Sequence, residues 1–145
     1  MQSAVETIHP TLRRDCKIIG RFALCHLLLM NDAQYPWFIL VPDRPDISEL
    51  HHLTEADQRQ LLHESSLLAR ILEIRFHADK INIAALGNVV PQLHVHHVAR
   101  YRNDPAWPGP VWGALPAEPY SESALAEVMK KLKASLPGDF QYCWT

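Results

Sequence analysis

Cysteine and excess charge are scarce in this 145-residue chain, and each scarcity argues against a class of protein. The three cysteines form no C-x-x-C pair, and an odd count argues against a disulfide framework, so we expect reduced thiols and a cytoplasmic location. The formal net charge of −2 gives no global attraction to nucleic acid or to a membrane surface. The most apolar run, residues 22–30, is too short to span a bilayer, and residues 1–16 hold no apolar core of signal-peptide length.

Histidine and proline are plentiful, and both are concentrated in short segments. Three of the nine histidines stand within four positions, at His94, His96 and His97. Five of the eleven prolines fall within residues 104–119, beside two tryptophans. Because proline lacks a backbone N–H, this segment is expected to be a loop rather than a helix or strand.

Hydrophobic periodicity predicts strands, a long helix, more strands and a second helix, in that order. Thr54, followed by an acid three residues later, predicts the start of the long helix. The order predicts an α+β fold with a mainly antiparallel sheet of about five strands, one long helix and a C-terminal helix. The predicted elements are a short helix or turn at 11–16, strands at 16–22, 23–30, 37–41, 80–86 and 90–101, a helical turn at 45–50, and helices at 55–76 and 121–136.

The length fits one domain around a single hydrophobic core. We therefore expect a single domain over residues 1–145, with a core at about 16–102 and a Pro/Trp-rich loop at 104–119. The C-terminal helix and an aromatic tail would follow at 121–145, and the tail includes Trp144.

The histidine cluster is the main candidate for a functional site. In an extended strand over residues 90–101, alternate side chains point to opposite faces. Gln92, His94 and His96 would share one face, while His97 would point to the other, apolar face. Core packing alone does not explain why two imidazoles and an amide would lie on one face of a strand.

Two chemistries fit two histidines at this spacing. An H-x-H pair on a strand can bind zinc, although the third ligand that a catalytic zinc needs is not identified by spacing. Alternatively, a neutral imidazole is a good nucleophile near pH 7 and can attack phosphorus, while its neighbour binds the phosphoryl oxygens or protonates the leaving group. A solvated sheet face that carries histidines by chance is the non-functional alternative.

The segment NVVPQLHVHHVAR at residues 88–100 resembles the signature of the histidine triad (HIT) superfamily, in a bacterial-type hydrolase branch. In that signature three histidines alternate with apolar residues, and an arginine closes the segment. Aligning the closing arginine with Arg100 puts His96 at the third histidine and His94 at the second, which is the family's nucleophile. Gln92 then replaces the first histidine of the triad.

Three further segments resemble the family in the same order along the chain, at residues 28–31, 38–42 and 50–57. The resemblance therefore covers about residues 16–100 and implies a HIT-like fold. It departs from the family at Trp37, which stands where a histidine is common.

The resemblance implies a nucleotide hydrolase or transferase that cleaves at an α-phosphate of a dinucleoside polyphosphate or a nucleoside phosphoramidate. His94 would form a nucleotidyl-histidine, His96 would bind phosphate and donate a proton, and Gln92 would orient the site. An amide cannot titrate near neutral pH, so the efficiency of a triad with glutamine in first place is left open. The alternatives are a nucleotide-binding protein without turnover and a metalloenzyme that uses the H-x-H pair.

The resemblance also implies binding contacts and partners. Asn31 would bond the ribose hydroxyls, Asn88 would contact a phosphate, and Arg100 would meet distal phosphates. The N-terminal cysteine pair of some branches is absent, so no structural zinc and no cofactor are expected. The expected partners are the small-molecule nucleotide and a second copy of the chain, paired through the long helix and a sheet edge.

Overall fold

Six short strands form one antiparallel sheet in the computed structural model, which describes residues 4–143. The helices are α1 Pro10–Asp15, α2 Glu55–Ile74 and α3 Glu122–Lys133, with short 3-10 turns at Ala4–Thr7 and Leu50–His52. The strands are β1 Cys16–Arg21, β2 Cys25–Met30, β3 Trp37–Pro42, β4 Lys80–Ala84, β5 Val95–Arg100 and β6 Gln141–Tyr142. The spatial order is β4-β5-β3-β2-β1-β6. The predicted α+β class and antiparallel sheet are confirmed. Trp144 lies outside the described residues.

The sixth strand was not predicted, because only two residues of the aromatic tail form it. β6 pairs with β1, and Tyr142 stands opposite Gly20. A side chain on Gly20 would overlap the carbonyl oxygen of Gln141 and the ring of Phe140. The absence of a side chain at Gly20 therefore lets the C-terminal strand approach the sheet edge.

The strand that carries the histidines is shorter than predicted. We expected it over residues 90–101, but β5 begins at Val95. Pro91 has no N–H to give to a neighbouring strand, and the N–H of Leu93 bonds the carbonyl of Ile47 in a loop instead. The prediction that Gln92 and His94 lie on a strand is therefore wrong, and alternation applies only from Val95 onward.

The long helix begins where its sequence predicts. The hydroxyl of Thr54 accepts a hydrogen bond from the N–H of Asp57, 3.2 Å away, which satisfies an otherwise unpaired donor of the first turn. The helix ends at Ile74, two residues earlier than expected. The helical turn expected at 45–50 is instead the 3-10 turn Leu50–His52.

The two faces of the sheet are covered by different elements. Helices α2 and α3 pack on one face, against side chains such as Leu27, Leu40 and Val95. The opposite face, which carries Ile39 and Val98, is covered by α1 and by Val111 of the Pro/Trp-rich loop. This second face also holds the histidine pair. Among residues 4–143, none of the helices combines the length and the apolar character needed to cross a membrane.

Candidate active site

His94 and His96 lie beside each other on the face of the sheet opposite α2. His96 is on β5, which is bonded to β3 on one side and β4 on the other, so its backbone is held on both edges. The two ring centroids are 4.9 Å apart, and the ring planes are inclined by 67°. The structure thus brings the two predicted catalytic histidines together, although only one of them is on the strand.

The tautomer of His94 is fixed by the backbone. Its Nδ1 lies 2.7 Å from the carbonyl oxygen of Gln92. A carbonyl can only accept, so Nδ1 carries the proton and donates it to this bond. In the neutral ring the lone pair is then on Nε2, which is the arrangement that a nitrogen nucleophile needs.

His96 is held by a tryptophan. The indole N–H of Trp37 donates to Nδ1 of His96 over 3.0 Å. Burial, together with the charges of His94 and His97, lowers the pKa of His96 to about 3. The ring is therefore neutral at physiological pH.

The histidine pair is covered rather than open. His94 is 7% exposed and His96 is 4% exposed. The rings of Trp37 and Trp112 lie 5.8 and 5.3 Å from that of His96, and the indole N–H of Trp112 is buried without a hydrogen-bond partner. The Pro/Trp-rich loop, whose role the sequence left undecided, thus covers the histidine pair.

The side chain of Gln92 does not have the role that its position in the motif suggested. Its amide oxygen accepts from the N–H of His9 over 2.7 Å, and its amide nitrogen donates to the carbonyl of Thr7 over 2.9 Å. The side chain therefore holds the N-terminal segment, while the backbone carbonyl of Gln92 orients His94. The expectation that the amide orients the site is corrected, because the alternation that placed it beside the rings begins only at Val95.

Asn31 directly follows β2, and its side-chain oxygen accepts from the N–H of Tyr120 over 3.0 Å. The next residue, Asp32, is 3% exposed and accepts from the N–H groups of Gln34 and Glu118. The pair therefore holds the end of the Pro/Trp-rich loop. Asp32 was not singled out by the sequence, because an acid after a strand reads as an ordinary turn residue.

Asn88 lies in an exposed turn that follows Gly87, whose φ is +76°. A cavity of about 20 Å³ is lined in part by Gly87 and His94. A cavity of about 600 Å³ adjoins it at Pro91 and Gln92. The larger one has the size of a ligand pocket, whereas the smaller has room only for a water molecule.

Arg100 is placed where it cannot meet a phosphate from solvent. It is 1% exposed, and its guanidinium donates to Asp104 over 2.9 and 3.1 Å and to Asn82 over 2.8 Å. The guanidinium group of Arg100 also lies over the rings of Tyr35 and Trp107. We therefore replace the expected phosphate contact with a structural role, since these partners already hold the guanidinium.

His97 points to the helical face, as alternation predicts. It is fully buried, its Nδ1 lies 3.1 Å from the carbonyl of Val95, and its Nε2 lies 2.7 Å from the hydroxyl of Ser65 on α2. Burial lowers its pKa to about 4. The ring connects the sheet to the long helix behind the histidine pair.

Acid is expected to destabilise the fold through its buried histidines. Burial lowers the pKa values of His26, His96 and His97 below the ordinary 6.5. The unfolded chain then binds more protons than the folded one below about pH 6.5. The free energy of unfolding is therefore at its full value above that pH and decreases as the pH falls. Each such ring contributes up to about 1.4 kcal/mol per pH unit. Urea unfolding between pH 7.5 and 4.5 measures this, and a flat free energy of unfolding over that range would contradict it.

A catalytic zinc would need a third protein ligand beside His94 and His96. Within residues 4–143, no group of three histidine, cysteine, aspartate or glutamate side chains is arranged to hold an ion.

Comparisons with known proteins identify a matching family model and similar solved structures. The HIT domain model matches residues 11–103. A histidine triad protein from Bradyrhizobium japonicum is 42% identical, with a TM-score of 0.88 over 90% of this chain and 97% of its own. One from Marinobacter aquaeolei VT8 is 50% identical, with a TM-score of 0.86 over 89% and 94%. One from Sinorhizobium meliloti 1021 is 47% identical, with a TM-score of 0.86 over 89% and 96%. Among proteins of curated function, none matches the chain.

Proposed function

The chain belongs to the HIT domain family, whose members generally act on nucleotides, and we propose that it is a nucleotide hydrolase or transferase that cleaves at an α-phosphate. Dinucleoside polyphosphates and nucleoside phosphoramidates are the proposed substrate types. The observation that carries the proposal is the adjacent pair His94 and His96, in which the carbonyl of Gln92 leaves Nε2 of His94 unprotonated. No cofactor is needed for this chemistry.

The proposed reaction has two displacement steps. Nε2 of His94 forms a bond to the α-phosphorus while the bond from phosphorus to the leaving oxygen or nitrogen breaks. The leaving group keeps that electron pair and takes up a proton from water. Water then bonds to phosphorus and loses a proton, and the P–N electron pair returns to Nε2. The carbonyl of Gln92 stabilises the cationic ring of the intermediate, because it accepts the Nδ1–H throughout.

The register of the sheet suggests how a nucleotide would lie. Asn31 follows the end of β2, next to the start of β3, whereas the 600 Å³ cavity adjoins Pro42 at the end of β3. His96 stands opposite Ile39, between these two ends. We propose that ribose and base lie toward Asn31, that the leaving group lies toward the cavity, and that Asn88 contacts a phosphate.

Entry of a nucleotide requires the cover to move. Arg100 and Asp104 hold the start of the Pro/Trp-rich loop, and Asn31 and Asp32 hold its end. The part between these contacts carries Trp112, and we propose that it separates from His96 while both anchors stay in place. In the open form, Trp112 would be available to stack on the base.

We also propose that the protein is a cytoplasmic homodimer. The edge strand β4 exposes Ile83 (51%), and α2 exposes Leu62 (67%) and Ile74 (56%). Exposed apolar side chains on a long helix and a sheet edge support the mode of pairing that the family resemblance implies.

A non-catalytic nucleotide-binding protein is the second candidate. The small exposed fractions of His94 and His96 favour it, because a substrate must reach both rings before any attack. It predicts measurable affinity for a mononucleotide with no turnover, and weaker affinity in an Asn31→Ala variant.

The proposal is tested by trapping the intermediate. The protein is mixed with a dinucleoside polyphosphate or phosphoramidate labelled at the α-phosphate and quenched within milliseconds in alkaline detergent, in which a P–N bond persists. We expect label on the protein, mapped to the peptide that contains His94, and none in a His94→Ala variant. Binding and turnover by the wild type without any trapped label would contradict a covalent route, and binding without turnover would support the second candidate.

A further inference from the structure

Trp37 contacts His96 from the neighbouring strand. In the register of β3 and β5, Ile39 stands opposite His96 and Trp37 stands opposite Val98, so Trp37 is the diagonal neighbour of His96 on the same face. We infer that Trp37 is a positioning residue that fixes His96 as the neutral Nε2–H tautomer, so that His96 meets the substrate as a hydrogen-bond donor and not as an acid.

The direction of the hydrogen bond determines the tautomer. An indole N–H can only donate, and it lies 3.0 Å from Nδ1 of His96. Nδ1 must therefore accept, and the single proton of the neutral ring is on Nε2. A phenylalanine at position 37 would fill part of the same space but would leave both tautomers available.

A second proton on His96 is opposed by its surroundings. The proton would have to enter at Nδ1, where it would face the indole N–H. The ring is also buried between the indoles of Trp37 and Trp112, and burial disfavours a positive charge. The hydrogen bond and the burial thus act in the same direction.

The consequence, which rests on the proposed function, is a division of roles between the two rings. The carbonyl of Gln92 makes His94 a nucleophile at Nε2, and Trp37 makes His96 a donor at Nε2. A donor beside the nucleophile stabilises the negative charge that builds on the phosphoryl oxygens as the new bond forms. The proton donor suggested by the family resemblance would then not be His96, because a neutral imidazole is a very weak acid.

The inference is tested without substrate by long-range ¹H–¹⁵N NMR of the imidazoles, in the wild type, Trp37→Phe and Trp112→Phe. Trp112 is the matched control, because its ring also lies against His96 but its N–H has no partner. We expect a single Nε2–H tautomer for His96 between pH 5 and 8 in the wild type and in Trp112→Phe. In Trp37→Phe we expect a mixture of tautomers. An unchanged tautomer in Trp37→Phe would overturn the inference.

A second variant keeps the shape of the Trp37 side chain, so the inference can still be tested if Trp37→Phe does not fold. β-(3-benzothienyl)alanine at position 37 replaces the indole N–H with sulfur and changes little else. In both variants we expect kcat to fall about 10- to 100-fold while KM changes little, since a His96 ring in the other tautomer no longer donates to the reacting phosphate. Unchanged kcat in a variant whose tautomers are mixed would overturn the positioning role. A wild type with no turnover would refute the proposed function, while the NMR result would still decide whether Trp37 sets the tautomer.

Discussion

Replacing His94 with alanine is expected to lower kcat by about 10⁴-fold or more and to leave nucleotide affinity within about tenfold of the wild type. The variant removes the nitrogen that forms the bond to phosphorus, and no other described imidazole has its Nε2 in the same position. The groups proposed to hold base and ribose are on other elements, so binding is retained. Steady-state kinetics and calorimetric titration with the product mononucleotide measure the two quantities.

Two further variants test whether the loss of kcat is specific to the imidazole of His94. His63→Ala removes an exposed histidine of α2 and should leave kcat unchanged. His94→Gly should recover part of its turnover when imidazole is added, because the free ring can occupy the vacated space and form a nucleotidyl-imidazole. Retention of more than a tenth of wild-type kcat in His94→Ala would rule out His94 as the nucleophile.

Replacing Asp104 with alanine is expected to lower the free energy of unfolding by about 3–5 kcal/mol. Its side chain is 3% exposed and that of Arg100 is 1% exposed, so the variant leaves a buried guanidinium without its charged partner. The carboxylate also accepts from the backbone N–H groups of Ala106 and Trp107, which would lose a partner as well. Urea unfolding at pH 7.5 measures the change.

An exposed ion pair provides the control for Asp104. Glu55 pairs with Arg59, and both side chains are 79% exposed, so Glu55→Ala should cost less than about 1 kcal/mol. Replacing both Arg100 and Asp104 should lower the free energy of unfolding by much less than the sum of the two single replacements. Each single variant leaves the other charged group buried without its partner. Equal losses in Asp104→Ala and Glu55→Ala would contradict the structural role assigned to the buried pair.

The two predictions are connected through the Pro/Trp-rich loop. Asp104 fixes the start of the segment that places Trp112 over His96. We expect loss of this anchor to loosen the cover as well as the fold, which hydrogen exchange over residues 105–115 would report.

Local patterns in the sequence determined much of this protein. The Thr54 cap, the long amphipathic helix and the apolar strands are consequences of neighbouring residues, and all are present in the structure. The sequence also predicted that His94 and His96 lie side by side, and their ring centroids are 4.9 Å apart in the structure, although His94 precedes the strand. The family followed from the same short segment.

Tertiary structure decided the roles of the residues around that pair. Gln92 and Arg100 bond to partners 85 and 18 residues away in the chain, and Trp37 reaches His96 across 59 residues. Such contacts depend on strand register and on which loop covers which face, and neither is encoded in local periodicity. The sequence by itself thus determined where the histidine pair lies, and only the folded chain decided that a carbonyl and an indole set the two rings to opposite tautomers.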